Sequence, residues 1–156
     1  MLDIFTVSFF GHRIVENFSL IESQVEKIIM DLLSEKEYVE FLVGRNGEFD
    51  QIVSSSIRRA KKNYRDDNCC HNLILPYETA IYHNNYDYFN NYYDQVDIFQ
   101  KSNSHFKAAI QERNKEMVNR SDLVVFYIEN EYGGAYQTYK YALKQNKNIL
   151  TLPLSV

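Results

Sequence analysis

The chain carries no tryptophan, only two prolines, five glycines and two cysteines. No apolar run comes near the roughly 18–20 residues that a membrane-crossing helix requires, so no membrane span is expected. Cys69 and Cys70 are adjacent, which excludes an ordinary structural bridge between them, and neither sits at metal-ligand spacing. The four histidines, His12, His71, His83 and His105, share no i, i+3 or i, i+4 spacing, so no metal site is expected. Neither a Walker loop nor a Ser-His-Asp arrangement is evident. The start, Met1-Leu2-Asp3-Ile4-Phe5, has neither the basic residues nor the cleavage site of a signal peptide. With two thiols that read as reduced, it predicts a cytoplasmic protein. Positive charge is not in excess: 17 Lys and Arg against 21 Asp and Glu leave a net charge of −4. That balance opposes attachment to nucleic acid through a general basic field, and nucleic acid is not expected as a partner. The basic run Arg58-Arg59-Ala60-Lys61-Lys62 reads as the solvated face of a helix.

What is present is globular: 45% hydrophobic and 24% charged residues over 156 positions suit one domain spanning 1–156. Ile4 to Phe10 is a short apolar run stopped at Gly11, the pattern of a buried strand. Ser19 to Glu22 reads as a capping box, and Ile21, Val25, Ile28, Ile29, Leu32 and Leu33 follow at helical spacing. Tyr38 to Val43 is a second strand, and Phe49, Ile52, Val53, Ile57 and Ala60 lie on one face of a second helix. Asn72–Leu75, Leu123–Ile128 and Asn148–Leu152 read as further strands, with helices over Phe106–Asn119 and Ala135–Lys144. Continuous apolar strands alternating with amphipathic helices predict an α/β fold, a mostly parallel sheet of about five strands with helices on both faces. The segment from Tyr77 to Phe99 has little periodicity and holds six tyrosines between Tyr77 and Tyr93. It reads either as a functional lid or interface loop or as a short surface helix. Its aromatic length also makes it the candidate contact of a homo-oligomer, with the number of subunits open.

All five glycines fall at three predicted strand ends. They are Gly11-His12-Arg13, Gly44-Arg45-Asn46-Gly47-Glu48-Phe49-Asp50 and Gly133-Gly134-Ala135. In an open parallel sheet the ligand cleft lies outside the carboxyl ends of the strands, so these three ends can converge on a phosphate or nucleotide. Gly133, Gly134 and Ala135 would offer backbone N–H groups at a helix N-terminus, and the Thr138 hydroxyl a further donor. Arg13 and Arg45 would supply guanidinium forks, with His12, Gly11, Gly44, Asn46 and Gly47 around them. Asp50 either caps the second helix or holds a ribose hydroxyl. Arg113 falls within the apolar stripe of its helix and needs an anionic partner: Asp122, another carboxylate, or the ligand. Any acid–base chemistry would use Glu131, Glu48 or Asp50. No cofactor is called for beyond a nucleotide-derived small molecule.

The motifs Phe9-Phe10-Gly11-His12-Arg13, Gly44-x-x-Gly47-x-x-Asp50, Arg113-Asn114-x-x-Met117-Val118-x-x-Ser121-Asp122 and Gly133-Gly134-Ala135-Tyr136-x-Thr138 occur in that order. This succession resembles the SLOG superfamily, the Rossmann-like group that includes the lonely-guy phosphoribohydrolases and the DprA-type DNA-processing proteins. Within it the likeness is to the small, single-domain YpsA-type bacterial branch. The resemblance implies a Rossmann-like fold and a nucleotide at the strand-end cleft with the diglycine loop on phosphate. Where the lonely-guy enzymes place a glutamate for N-glycosidic cleavage, counting from the diglycine leads here to Lys140. The first expectation is therefore a nucleotide-binding sensor or regulatory module. The alternative is a nucleotide N-glycosidase with a substitute acid, and the third is DprA-like handling of single strands with the tyrosines as stacking platforms.

Overall fold

The computed structural model describes residues 1–100 and 105–155. Among these residues six strands form one sheet: β1 (Ile4–Gly11), β2 (Tyr38–Val43), β3 (Cys69–Leu75), β4 (Gln95–Ile98), β5 (Leu123–Tyr127) and β6 (Ile149–Leu152). Every neighbouring pair is parallel, in the order β4-β3-β2-β1-β5-β6. The connecting helices are α1 (Phe18–Glu35), α2 (Glu48–Asn63), α3 (Ala80–Asn84), α4 (Tyr86–Tyr92), α5 (Phe106–Arg120) and α6 (Gly134–Lys144). No described helix is long and apolar enough to cross a membrane.

The two sheet faces carry separate cores, as alternating side chains of a doubly covered strand require. Val7 and Phe9 join Val39, Phe41, the buried stripes of α1 and α2, and Phe89 and Tyr93 on one face. Phe10 joins Leu42, Val124, Phe126, Met117 and Ala142 on the other, beneath α5 and α6. The strand order grows outward from β1 in both directions, so the order reverses between β1 and β5. This is the Rossmann-like arrangement in which the carboxyl ends of the central strands part to leave a crevice.

Details differ from the sequence reading, and β3 begins at Cys69, three residues before the expected Asn72. The sheet has six strands where about five were expected, because β4 lies inside the tyrosine-rich segment 77–99. β4 is a four-residue edge strand whose residues are exposed or half-exposed, so it lacks the continuous apolar run that marked the inner strands. Asp94 anchors its start: the Asp94 N–H donates to the His71 carbonyl (2.9 Å) and its Oδ2 accepts from the His71 N–H (2.8 Å). The capping box is not formed either. Helix α1 begins at Phe18 after Asn17, which has a left-handed backbone (φ 53°), and no side chain among the described residues caps it.

Candidate functional site: a cleft at the strand carboxyl ends

The loops after β1 and β2 are tied together. The Glu48 N–H donates to the Arg13 carbonyl (2.8 Å), and Glu48 Oε1 accepts from the Val15 N–H (2.8 Å). Both glycines at this junction are demanded by packing. A methyl group on Gly11 would stand 2.4 Å from the Phe49 ring, and one on Gly47 (φ +132°) would stand 2.6 Å from Arg13 Cα. Arg13 is thereby held at the mouth of the crevice with its side chain exposed.

Across the crevice, Gly133 (φ 92°) turns the chain from β5 into α6, and no side chain among the described residues caps that helix. The space beside Gly133 is open, since a methyl group there would meet none of the described residues within 4 Å. The first N–H groups of α6 have no intrahelical acceptor and lie at the positive end of the helix dipole. Thr138 does not face the opening. It is buried, its hydroxyl donates to the Gly134 carbonyl (2.9 Å) and accepts from Asn114 Nδ2 (3.1 Å). It therefore fixes the diglycine turn from behind.

Between these walls lies a cleft of about 770 Å³. Of the residues expected at the site, Gly11, His12, Arg13, Gly44, Asn46, Asp50, Gly133, Gly134 and Ala135 line it. Arg45, Gly47 and Glu48 border a neighbouring hollow between α2 and α4, shared with Arg13, Gly44 and Asp50. Glu131 is exposed and outside the cleft lining, and Lys140 is exposed on α6 with its ammonium over the Tyr136 ring. The cleft also draws on residues that the sequence reading passed over: Glu16, Glu129, Asn130 and Tyr132 from loops, and Lys107 and Gln111 from α5. With Asn114, the last two form an i, i+4, i+7 polar stripe, which is the signal that marks them. Arg13 and Lys107 take part in none of the ion pairs among the described residues.

Burial sets the charges on the cleft floor. Arg113 is buried, with Nη1 donating to the Ile74 carbonyl (2.7 Å) and Nε to Asn114 Oδ1 (2.9 Å). Burial works against its charge, and the nearby Asp50 carboxylate supports it. Asp50, rather than Asp122, is thus the acid beside it; Asp122 Oδ2 instead accepts from the Thr6 N–H (2.8 Å). Burial raises the Asp50 carboxyl above its usual range, opposed by the Asn46 N–H (2.8 Å) and by Arg113. His12 is pulled below its ordinary value by burial, with Glu129 opposing. Its Nε2 accepts from the Asn130 N–H (3.4 Å), which calls for a neutral ring protonated at Nδ1. The Asn130 side-chain oxygen, buried at the cleft wall, has no hydrogen-bond partner among the described residues. Among the described residues no group of three or more His, Cys, Asp or Glu could hold a metal ion.

No protein-family model matches the sequence, and no curated protein matches it either. Solved structures match by fold. DNA processing protein A from Helicobacter pylori, described for its single-stranded DNA binding mode, superposes with a TM-score of 0.69 at 14% identity, covering 97% of this chain and 66% of that one. DNA processing protein A (DprA) from Streptococcus pneumoniae gives a TM-score of 0.65 at 15% identity, covering 98% of this chain and 52% of that one. The chain thus spans at most two thirds of the length of these neighbours. The exclusion of nucleic acid drawn from net charge does not stand, because a protein of this architecture is described as binding single-stranded DNA. Net charge sums the whole surface, whereas a phosphate responds to groups within a Debye length of about 8–10 Å. The chain has the Rossmann-like fold of these two DprA structures.

Proposed function

We propose that the cleft binds a nucleotide unit, its phosphate against the N–H groups of Gly133, Gly134 and Ala135 with Arg13 opposite, and that the protein acts as a nucleotide-responsive binding module. One observation carries this reading: an uncapped helix N-terminus opens into a large cleft at the point where the strand order reverses. The cleft's volume lies within the ~300–1,000 Å³ usual for small-molecule sites. Cleavage of the N-glycosidic bond is the weaker alternative. Glu48 is held by the Val15 N–H, Glu131 lies outside the cleft, and of the three acids considered only Asp50 reaches it. The reading fits the small YpsA-type branch, with 1–156 as one binding domain in the cytoplasm. There the Cys69 and Cys70 thiols, raised to about 11 chiefly by burial, stay protonated.

Calorimetric titration with nucleoside monophosphates tests the proposal. Binding is expected, and Gly134→Pro, which deletes one N–H at a helix position that tolerates proline, weakens it about tenfold, the ~1.5 kcal/mol of a lost hydrogen bond to a charged group. A folded protein that gives no heat with any of them overturns the reading. Free base released from the nucleotide, and lost on Asp50→Asn, would replace it with the hydrolase.

A second reading, single-stranded nucleic acid as the form in which the nucleotide arrives, is favoured by the fold likeness to the Helicobacter pylori protein. Anisotropy of a labelled oligonucleotide reads it out directly, and no change at micromolar protein rejects it.

A further inference from the structure

A second hollow lies between α2 and α4, beside the main cleft. It has a volume of about 440 Å³ and continues the cleft across the carboxyl end of β2, since Arg13, Gly44 and Asp50 border both. Gly44 keeps the junction low, for it carries no side chain where Asp50 Oδ2 and Arg113 Nη1 crowd the strand end.

The walls have a definite chemistry. Tyr88 borders the hollow with 54% of its surface exposed, a large share for an aromatic residue, and its ring lies 5.9 Å from that of Tyr92 at 24°, close to parallel. Tyr92 is backed from outside by the Arg58 guanidinium, 4.2 Å from its ring centroid. Arg45 is held in place. Its Nη1 donates to the Tyr93 hydroxyl (3.1 Å), and its guanidinium lies 4.6 Å from the Phe89 ring centroid. Burial opposes its charge, yet the Tyr93 and Tyr88 hydroxyls outweigh that and raise its pKa. The Gln51 amide supplies hydrogen-bonding groups on the α2 side, while the Ser54 hydroxyl beneath it is buried and paired with His71 Nε2 (3.0 Å). Nearly parallel rings beside a fixed guanidinium form a platform for another planar ring, and polar groups at one edge suit the hydrogen-bonding edge of a base.

We infer that this hollow is a second base subsite: a nucleobase rests on the Tyr88–Tyr92 platform, joined through a phosphodiester beside Arg13 to the nucleotide in the main cleft. The ligand then carries at least two linked nucleotide units. This rests on the nucleotide reading of the cleft and extends it. A free dinucleotide and a stretch of single strand present the same two bases and one linking phosphate.

The test is an affinity series with thymidine 5′-monophosphate, the 5′-phosphorylated linear dinucleotide pdTpdT, a cyclic dinucleotide and an oligothymidylate of eight units. The expected result is that pdTpdT binds at least tenfold more tightly than the monophosphate. Tyr88→Ala abolishes that advantage, and Tyr88→Phe, which keeps the ring, retains it. Equal affinity for one and two units in the wild-type protein overturns the second subsite while leaving the cleft reading intact. An advantage that survives in Tyr88→Ala, with the variant folded by circular dichroism, overturns it as well. Binding of none of the four removes both readings together. Where the advantage holds, an eight-unit strand no tighter than pdTpdT marks a free dinucleotide as the source, cyclic or linear according to which binds better. A tighter eight-unit strand marks single-stranded nucleic acid.

Discussion

Gly11 looks like a ligand-facing residue in the sequence, yet the Phe49 ring occupies the volume its side chain would need, at 2.4 Å from an added methyl carbon. Phe49 is fully buried and stacks on Tyr127, with ring centroids 5.8 Å apart, so it has no free direction in which to yield. Gly11→Ala is therefore an overpacking change expected to cost about 1–3 kcal/mol, read as a lowered urea midpoint at unchanged slope. A midpoint equal to wild type would show that the ring can move. Gly133 is the contrasting case. Its positive φ needs glycine, but the space beside it is open, and that openness leaves the α6 N–H groups accessible to an anion.

Elements are joined by buried polar groups as well as by apolar faces. His71 of β3 meets Ser54 of α2 through its Nε2 (3.0 Å), while its backbone pairs with Asp94 at the start of β4. Burial holds the His71 imidazole neutral, its pKa lowered to about 3 from 6.5, with Asp94 opposing in part. The unfolded chain takes up a proton below pH 6.5 that the folded chain refuses, so stability falls as the solution is acidified from 6.5 towards 3. The slope from this one group approaches 1.4 kcal/mol per pH unit, to order of magnitude. Thermal melts over that window should show the decline, and His71→Asn should flatten it. An unaltered acid limb in a folded variant would place the effect on other groups. Asp50 acts with the opposite sign. A carboxyl raised by burial contributes stability at low pH that is lost as pH rises through its folded value.

Across the molecule, charge is distributed rather than accumulated. The basic run on α2 is largely spent on neighbours: Arg59 pairs with Glu22 (3.5 Å), Lys61 with Asp94, and Arg58 covers Tyr92. Arg13 and Lys107, free of ion pairs among the described residues, face the cleft. With about one or two cations meeting phosphate, affinity for a single-stranded ligand should fall only about three- to sevenfold between 50 and 200 mM salt. Titration at the two salt concentrations measures this. A fall of a thousandfold would mean a broad basic track that this surface does not offer.

The inner strands were legible in the sequence because both their faces are covered. β2 occupies Tyr38–Val43, the bounds its apolar run predicts, β1 and β5 differ by one residue at an end, and β3 starts three residues ahead of its expected bound. β4 was not legible, since an edge strand of four residues buries too little to show a run. The glycines and the diglycine turn were readable from local chemistry alone. Other features are set by pairing between distant segments: β5 beside β1 rather than beside β4, Asp50 beside Arg113, the α5 stripe across the crevice, and Thr138 turned inward to Asn114. Helical and strand periods are local properties and are written in neighbouring residues. Which strand lies next to which depends on burying both sheet faces at once, a condition on the whole chain that tertiary packing alone satisfies.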